Sequence, residues 1–194
     1  MKHLLLALML LLSVSVKAIG ITHGPWICDM DSTSVTIVWV TDKPGLSWVE
    51  LAPEGSDHFY GKARTRYYDI FEGRKVLTDS VHKVHIEGLK PDTKYRYRVF
   101  TQEVAEWRYD DWVTFGKVAC PDVWRGKPYD FTTFPAHPRE ITFLVLNDIH
   151  ERAQFMKDLC KNIDFNKLDF VLLNGDMSNR LRSQQHMMEA YLDT

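Results

Sequence analysis

Two kinds of hydrophobic pattern divide the chain. From residue 21 to about 134, apolar and polar residues alternate in short runs broken by turn residues. Residues 34–40 alternate cleanly, putting Val35, Ile37 and Trp39 on one face of a strand and Trp39 in the core. Asp42-Lys43-Pro44-Gly45 reads as a turn, with Pro and Gly supplying the backbone angles. Residues 48–51 resume as a strand that Pro53 to Ser56 break, and residues 58–79 show no regular period. Residues 81–86 read as another strand. At residues 89–99 a turn on Pro91 and Asp92 leads into a strand with Tyr95, Tyr97 and Val99 alternating. A tyrosine at such a corner ties it shut by bonding back to the backbone. Residues 131–134 read as the last strand. The Pro- and Gly-rich stretch 116–140 joins the halves, with residues 135–138 as the linker. Alternating strands with turns about every 8–12 residues predict an all-β sandwich.

From Ile141 the pattern changes. Residues 141–146 are a continuous apolar run, as expected of a strand buried on both faces, and residues 170–173 are a second. Between them, residues 154–162 carry Phe155, Met156 and Leu159 at helical spacing. Residues 184–192 read as a further helix with Ser183 as its N-cap. Strand, helix and strand make a right-handed parallel βαβ unit, and ligand sites in such sheets lie at the carboxyl ends of the strands.

Both carboxyl ends carry candidate chemistry. The first run ends in Asp148-Ile149-His150 and the second in Gly175-Asp176. Asp148 and His150, an i, i+2 pair, leave the strand end on the same side, and Asp176 adds a carboxylate from the neighbouring strand. Oxygen ligands with one imidazole suit a hard-to-borderline divalent metal. Gly175 is expected to let the backbone approach the site. Asn147 and Asn174 either orient the carboxylates or end the strands. No catalytic acid or base is singled out. His23, His82, His85 and His137 read as surface or edge residues and His186 as a solvated helix residue. Trp107, Arg108, Tyr109, Asp110, Asp111 and Trp112 read as a packed loop on the sandwich, with a sugar-stacking surface as the alternative.

Composition narrows the context. With 194 residues and a formal net charge of -2, the chain is long enough for one large domain or two small ones and has no nucleic-acid footprint, which would need clustered Lys and Arg. Residues 1–18 read as a signal peptide: a short basic start, an apolar run too short to span a membrane, and small residues before a cut after Ala18. The protein is therefore expected to be exported, periplasmic or secreted, without a membrane span after leader removal. Cys28, Cys120 and Cys160 are an odd set that fits no zinc motif, and a Cys28–Cys120 disulfide stays open.

Gly24-Pro25-Trp26, the strand at 35–39 and the Leu89 to Tyr95 corner resemble the fibronectin type III-like N-terminal domain of purple acid phosphatase-like proteins. This assigns residues 19–135 to such a domain. Asp-x-His after one strand and Gly-Asp after the next resemble the calcineurin-like metallophosphoesterases, assigning residues 136–194 to the N-terminal part of an incomplete domain of that family. The resemblance implies two divalent metal ions (Mn, Fe or Zn), Asp148 and His150 as ligands of the first, Asp176 as the bridge, and a small phosphate-ester substrate. A metal pair of this kind clamps the attacking and leaving oxygens of a phosphoryl group. Purple acid phosphatases have Gly where His150 stands and Tyr where Asn179 stands, so the resemblance implies a colourless site. The family's later Gly-Asn-His-Asp/Glu motif and further His ligands do not follow Asp176. The expectation is thus a chain complete only in a longer enzyme, with weak or no metal binding and negligible turnover alone. The alternative is a non-catalytic β-sandwich binding module with an inactive phosphoesterase remnant.

Overall fold

The computed structural model describes residues 17–57, 59, 62–109, 112–137 and 140–193. The leader read at residues 1–18 lies, as far as residue 16, outside the described residues, as do Asp110 and Asp111. Among the described residues, no helix is long and apolar enough to cross a membrane. The chain divides into two units. The first holds Ser34–Gly88, Lys94–Thr132 and the described residues as far as Met30; the second holds Asp31–Thr33, Leu89–Thr93 and the chain from Thr133 on.

The first unit is all β. Its strands are β1 (Ile21–Cys28), β2 (Val35–Thr41), β3 (Gly45–Pro53), β4 (Arg66–Tyr68), β5 (Ile70–Phe71), β6 (Arg74–Lys75), β7 (Val81–Ile86), β8 (Lys94–Arg108), β9 (Trp112–Ala119) and β10 (Tyr129–Thr132). One sheet has the order β1-β2-β7. The other runs β10-β8-β3-β4, with β9 also on β8, and β5 and β6 form a separate hairpin. Val35, Ile37, Trp39, Val84 and Ile86 of the first sheet and Val49 and Val99 of the second are wholly buried. The Trp39 indole donates to Thr101 Oγ1 across the sandwich at 2.9 Å, and Ser47 Oγ meets the same hydroxyl at 2.8 Å. The sandwich predicted from alternation is present.

Four local readings change. The aperiodic stretch 58–79 contains β4, β5 and β6, too short for two-fold alternation to register. The supposed joining stretch 116–140 is strand as far as Ala119, and the last strand is β10 rather than residues 131–134. Gly45 opens β3 by proximity rather than by backbone angle: a Cβ there would stand 2.5 Å from the Gln102 carbonyl oxygen. His82, expected at the surface, is wholly buried. Val84 and Ile86 set the inward frame of β7, and His82 falls in it.

All three cysteines carry free thiols, which settles the open disulfide. Cys120 Sγ takes a hydrogen bond from the Arg98 guanidinium at 2.9 Å.

The second unit begins with a corner. Thr133 Oγ1 donates to Lys90 O at 2.6 Å and accepts from Thr93 N at 3.0 Å. Asp92 N donates to Phe134 O at 3.1 Å, and Phe134 N to Asp31 O at 3.2 Å. Strand β11 (Phe143–Asn147), helix α1 (Ala153–Cys160), a 3-10 turn (Phe165–Lys167) and strand β12 (Phe170–Gly175) follow. The two strands pair in parallel from Phe143↔Phe170 onward, so the βαβ unit forms as read. A short helix α2 (Gln184–Met187) runs into a π-helical turn (Met188–Leu192), and Ser183 caps it by accepting from His186 N at 3.1 Å.

The expected burial of these strands does not hold. Phe143 is 51% exposed and Leu172 44% exposed, because they lie on the face of the two-stranded sheet turned away from α1, which packs on Leu144, Leu146 and Leu173. On α1, Met156 is buried while Phe155 and Leu159 are exposed. The inward stripe is Met156 and Cys160, four residues apart, against Leu146, Ile149 and Met177.

Candidate metal centre

The two strand ends are zipped together beyond the sheet. Leu146 pairs with Leu173 but Asn147 pairs with Gly175, so one residue of β12 is bulged out. Past this point the loops run side by side: Asp148 N donates to Gly175 O at 3.1 Å, His150 N to Asp176 O at 3.0 Å and Glu151 N to Met177 O at 2.9 Å. Ile149, wholly buried, and Met177 anchor the loops from below in the apolar cluster with Leu146 and Met156. Because Ile149 points in, Asp148 and His150 are left on the open side, as their i, i+2 spacing requires.

The backbone here is unusual. Asp148, His150, Glu151 and Asp176 have φ of 59°, 53°, 64° and 45°, in the left-handed region that L-residues with bulky side chains avoid. Gly175 has φ of 144°, and a Cβ there would touch nothing within 4 Å. Its role is therefore conformational; the close approach expected of it is not what requires glycine.

Side chains fix the loop. Asn147 Nδ2 donates to Asp148 Oδ2 at 2.8 Å, which answers the question left open for Asn147: it orients the carboxylate. Arg152 donates to Ile149 O and to Asp148 O, each at 3.0 Å, and its guanidinium lies 4.6 Å from the Phe155 ring centroid. His150 Nε2 stands 3.7 Å from Asp148 Oδ1. Two ligands each about 2.1 Å from a tetrahedral ion would lie about 3.4 Å apart. Asp148 and His150 thus fit as two ligands of one metal with only side-chain adjustment.

The third predicted ligand is not gathered with them. Asp176 lies on the adjoining loop, joined to His150 through the backbone, but among the described residues no group of three or more His, Cys, Asp or Glu is arranged to hold a metal ion. His150 Nδ1 is buried without a hydrogen-bond partner among the described residues. A ligating imidazole ordinarily donates its second N–H to a carbonyl or carboxylate that sets its orientation. The residues fit a ligand pair and do not fit a closed two-metal centre.

Glu151 is the residue that sequence reasoning missed. Its Oε1 accepts from Ser178 Oγ at 2.5 Å and from Arg180 N at 3.4 Å, and lies 3.6 Å from His186 Nε2. The Ser178 hydroxyl, foremost, holds the carboxyl below its ordinary range. His186, read as a solvated helix residue, is instead three-quarters covered beside this carboxylate.

Comparison with known proteins completes the picture. A family model described as purple acid phosphatase, N-terminal domain, matches residues 26–139. The chain belongs to the purple acid phosphatase N-terminal domain family. It is thereby a phosphatase-related protein, and the matched residues hold most of the all-β unit and run past Thr132. Among solved structures, a purple acid phosphatase isolated from yellow lupin (Lupinus luteus) seeds is 14% identical with a TM-score of 0.46; the match covers 81% of this chain and 29% of the lupin protein. A fibronectin type-III domain from human fibronectin type III domain containing protein 3 is 16% identical with a TM-score of 0.34, covering 65% of this chain and 97% of that domain. A redesigned β-sandwich protein is 12% identical with a TM-score of 0.36, covering 61% and 97%. A search of curated proteins gave no match.

Proposed function

We propose that this member of the purple acid phosphatase N-terminal domain family serves hydrolysis of phosphate esters as the N-terminal part of an exported, metal-dependent phosphoesterase. The observation that carries the reading is the pair of zipped strand-end loops, with His150 Nε2 3.7 Å from Asp148 Oδ1 and Asp176 on the adjoining loop. Asp148 and His150 would hold one divalent metal (Mn, Fe or Zn), and Asp176 would be the bridge to a second. Such metals lower the pKa of water and neutralise phosphoryl charge. The protein's own contribution is positional. Asn147 turns the Asp148 carboxylate, Arg152 ties the loop carbonyls, and Ile149 and Met177 keep the loops from lifting.

Two measurements test this. The chain alone binds Mn(II) weakly, followed by electron paramagnetic resonance, and His150→Ala abolishes the binding. In the longer enzyme, Asp176→Asn removes turnover of p-nitrophenyl phosphate; unchanged turnover would sink the assignment. The second reading, a non-catalytic β-sandwich binding module, is favoured by one observation: Tyr109 and Trp112, at the tip of the β8–β9 hairpin, are 85% and 64% exposed.

A further inference from the structure

Strand β8 outruns its sheet. Its pairing with β3 ends at Glu103 opposite Gly45, while its pairing with β9 continues to Arg108 opposite Trp112. The last residues of β8 and the first of β9 therefore form a two-stranded ribbon that β3 does not back. The register places Glu106 opposite Thr114 and Arg108 opposite Trp112. Glu106, Arg108, Trp112 and Thr114 thus share one face, and with Tyr109 they line a recess of about 480 Å³. That volume lies within the range of small-molecule sites, roughly 300–1,000 Å³. Trp107, opposite Val113, belongs to the other face.

The recess combines two chemistries. Its aromatic rings are uncovered, although burying an indole is among the larger apolar gains a fold can make. Beside them, Arg108 Nε donates to Glu106 Oε1 at 2.6 Å. This pair supplies several donors and an acceptor in a row while cancelling its own charge. Among the described lining residues Arg108 and Glu106 are the charged groups, so that lining carries no net charge for an ionic ligand to meet. A neutral ligand with one C–H face and a rim of hydroxyls meets both features: the polarised C–H bonds sit on the electron-rich ring face, and the hydroxyls pair with guanidinium, carboxylate and the Thr114 hydroxyl.

We propose that this ribbon face is a carbohydrate-binding site, with Trp112 and Tyr109 as the stacking platform and Arg108 and Glu106 as the hydroxyl-reading pair. It uses none of Asp148, His150 or Asp176 and stands whether or not the phosphoesterase reading does. Because every side chain involved is on the surface, substitutions there leave the fold intact, which circular dichroism checks.

The test is a neutral glycan array probed with the whole chain, followed by calorimetric titration with the best-bound oligosaccharide. Binding is expected to weaken at least tenfold in Trp112→Ala and in Arg108→Ala, and to stay within twofold in Trp107→Ala. No bound glycan, or affinity unchanged in Trp112→Ala, overturns the proposal. So does Trp112-dependent binding to phosphatidylcholine vesicles or to oligo(dT) without glycan binding, either of which would reassign the platform to lipid or to bases.

Discussion

Acidification should weaken the sandwich through His82. The imidazole is wholly buried, with its ring centroid 5.4 Å from that of Trp39. Thr41 Oγ1 gives its single proton to Lys43 O at 2.7 Å, so His82 Nε2, also 2.7 Å from that oxygen, is the donor to it. Nδ1 is then the bare nitrogen, and it has no partner among the described residues. A proton added there would place a charge in the core with no acceptor. Burial accordingly lowers the His82 pKa from 6.5 to about 4. A pKa lower in the fold than in the unfolded chain means that the unfolded chain takes the proton first. Stability is full above about pH 6.5, falls between 6.5 and 4, and is level below that as far as this group is concerned. At 1.36 kcal/mol per pH unit, the gap of about 2.5 units gives a loss of about 3 kcal/mol. The assay is urea unfolding followed by tryptophan fluorescence at pH 7.5, 6, 5 and 4, for the native chain and His82→Leu. The variant cannot titrate at this position, so contributions from the low Asp42 and Asp57 carboxyls and the raised Asp69 cancel in the difference. The native chain should lose about 3 kcal/mol relative to His82→Leu across this range. Parallel profiles would refute the reasoning.

Three further outcomes are expected. Gly45→Ala should lower the urea midpoint by the equivalent of about 1–3 kcal/mol, because the new methyl meets the backbone of β8 at Gln102 and overpacks it. Thr133→Val keeps the shape of the corner but strips the buried partner from Lys90 O and Thr93 N; a loss of about 1–3 kcal/mol should follow in thermal unfolding. Ile149→Ala removes the anchor under the Asp148–His150 loop at a cost of about 2–5 kcal/mol to the second unit. Hydrogen exchange should report it as faster exchange at the amides of Asp148, His150 and Glu151, which the zipped loops now protect.

The readable parts of this chain were those in which one periodicity dominates. Val35, Ile37 and Trp39 alternate without interruption, and their strand and burial follow directly. The parallel βαβ unit was legible because two apolar runs flank a helical segment, and the meeting of the two strand-end loops was legible because the motifs end those runs. What resisted reading depended on partners distant in sequence. His82 looked like a surface residue because histidine usually is one, although Val84 and Ile86 had already fixed its face. Phe155 and Leu159 share the helical spacing of Met156 and Cys160, and only the position of Ile149 and Met177 decides which stripe turns inward. The tip aromatics were read as packed because packing is their usual fate; the overhang of β8 past β3 is set by register, which no local pattern encodes. Glu151 emerged only when its loop was placed beside that of Ser178.

The left-handed backbone at the strand ends bears on how this protein would respond to selection. Asp tolerates that region, but His150 and Glu151 occupy it consecutively, at a cost of roughly 1–2 kcal/mol each. Glycine at either position would relieve the cost without disturbing the backbone hydrogen bonds to Asp176 and Met177. A library screened for heat resistance alone should therefore drift toward His150→Gly, whereas Glu151→Gly would forfeit the bonds its carboxylate takes from Ser178 and Arg180. A screen that demands activity should hold the His150 side chain against that drift. Stability and chemistry pull in opposite directions at His150, so sequencing the survivors of the two screens would show which of them shaped this loop.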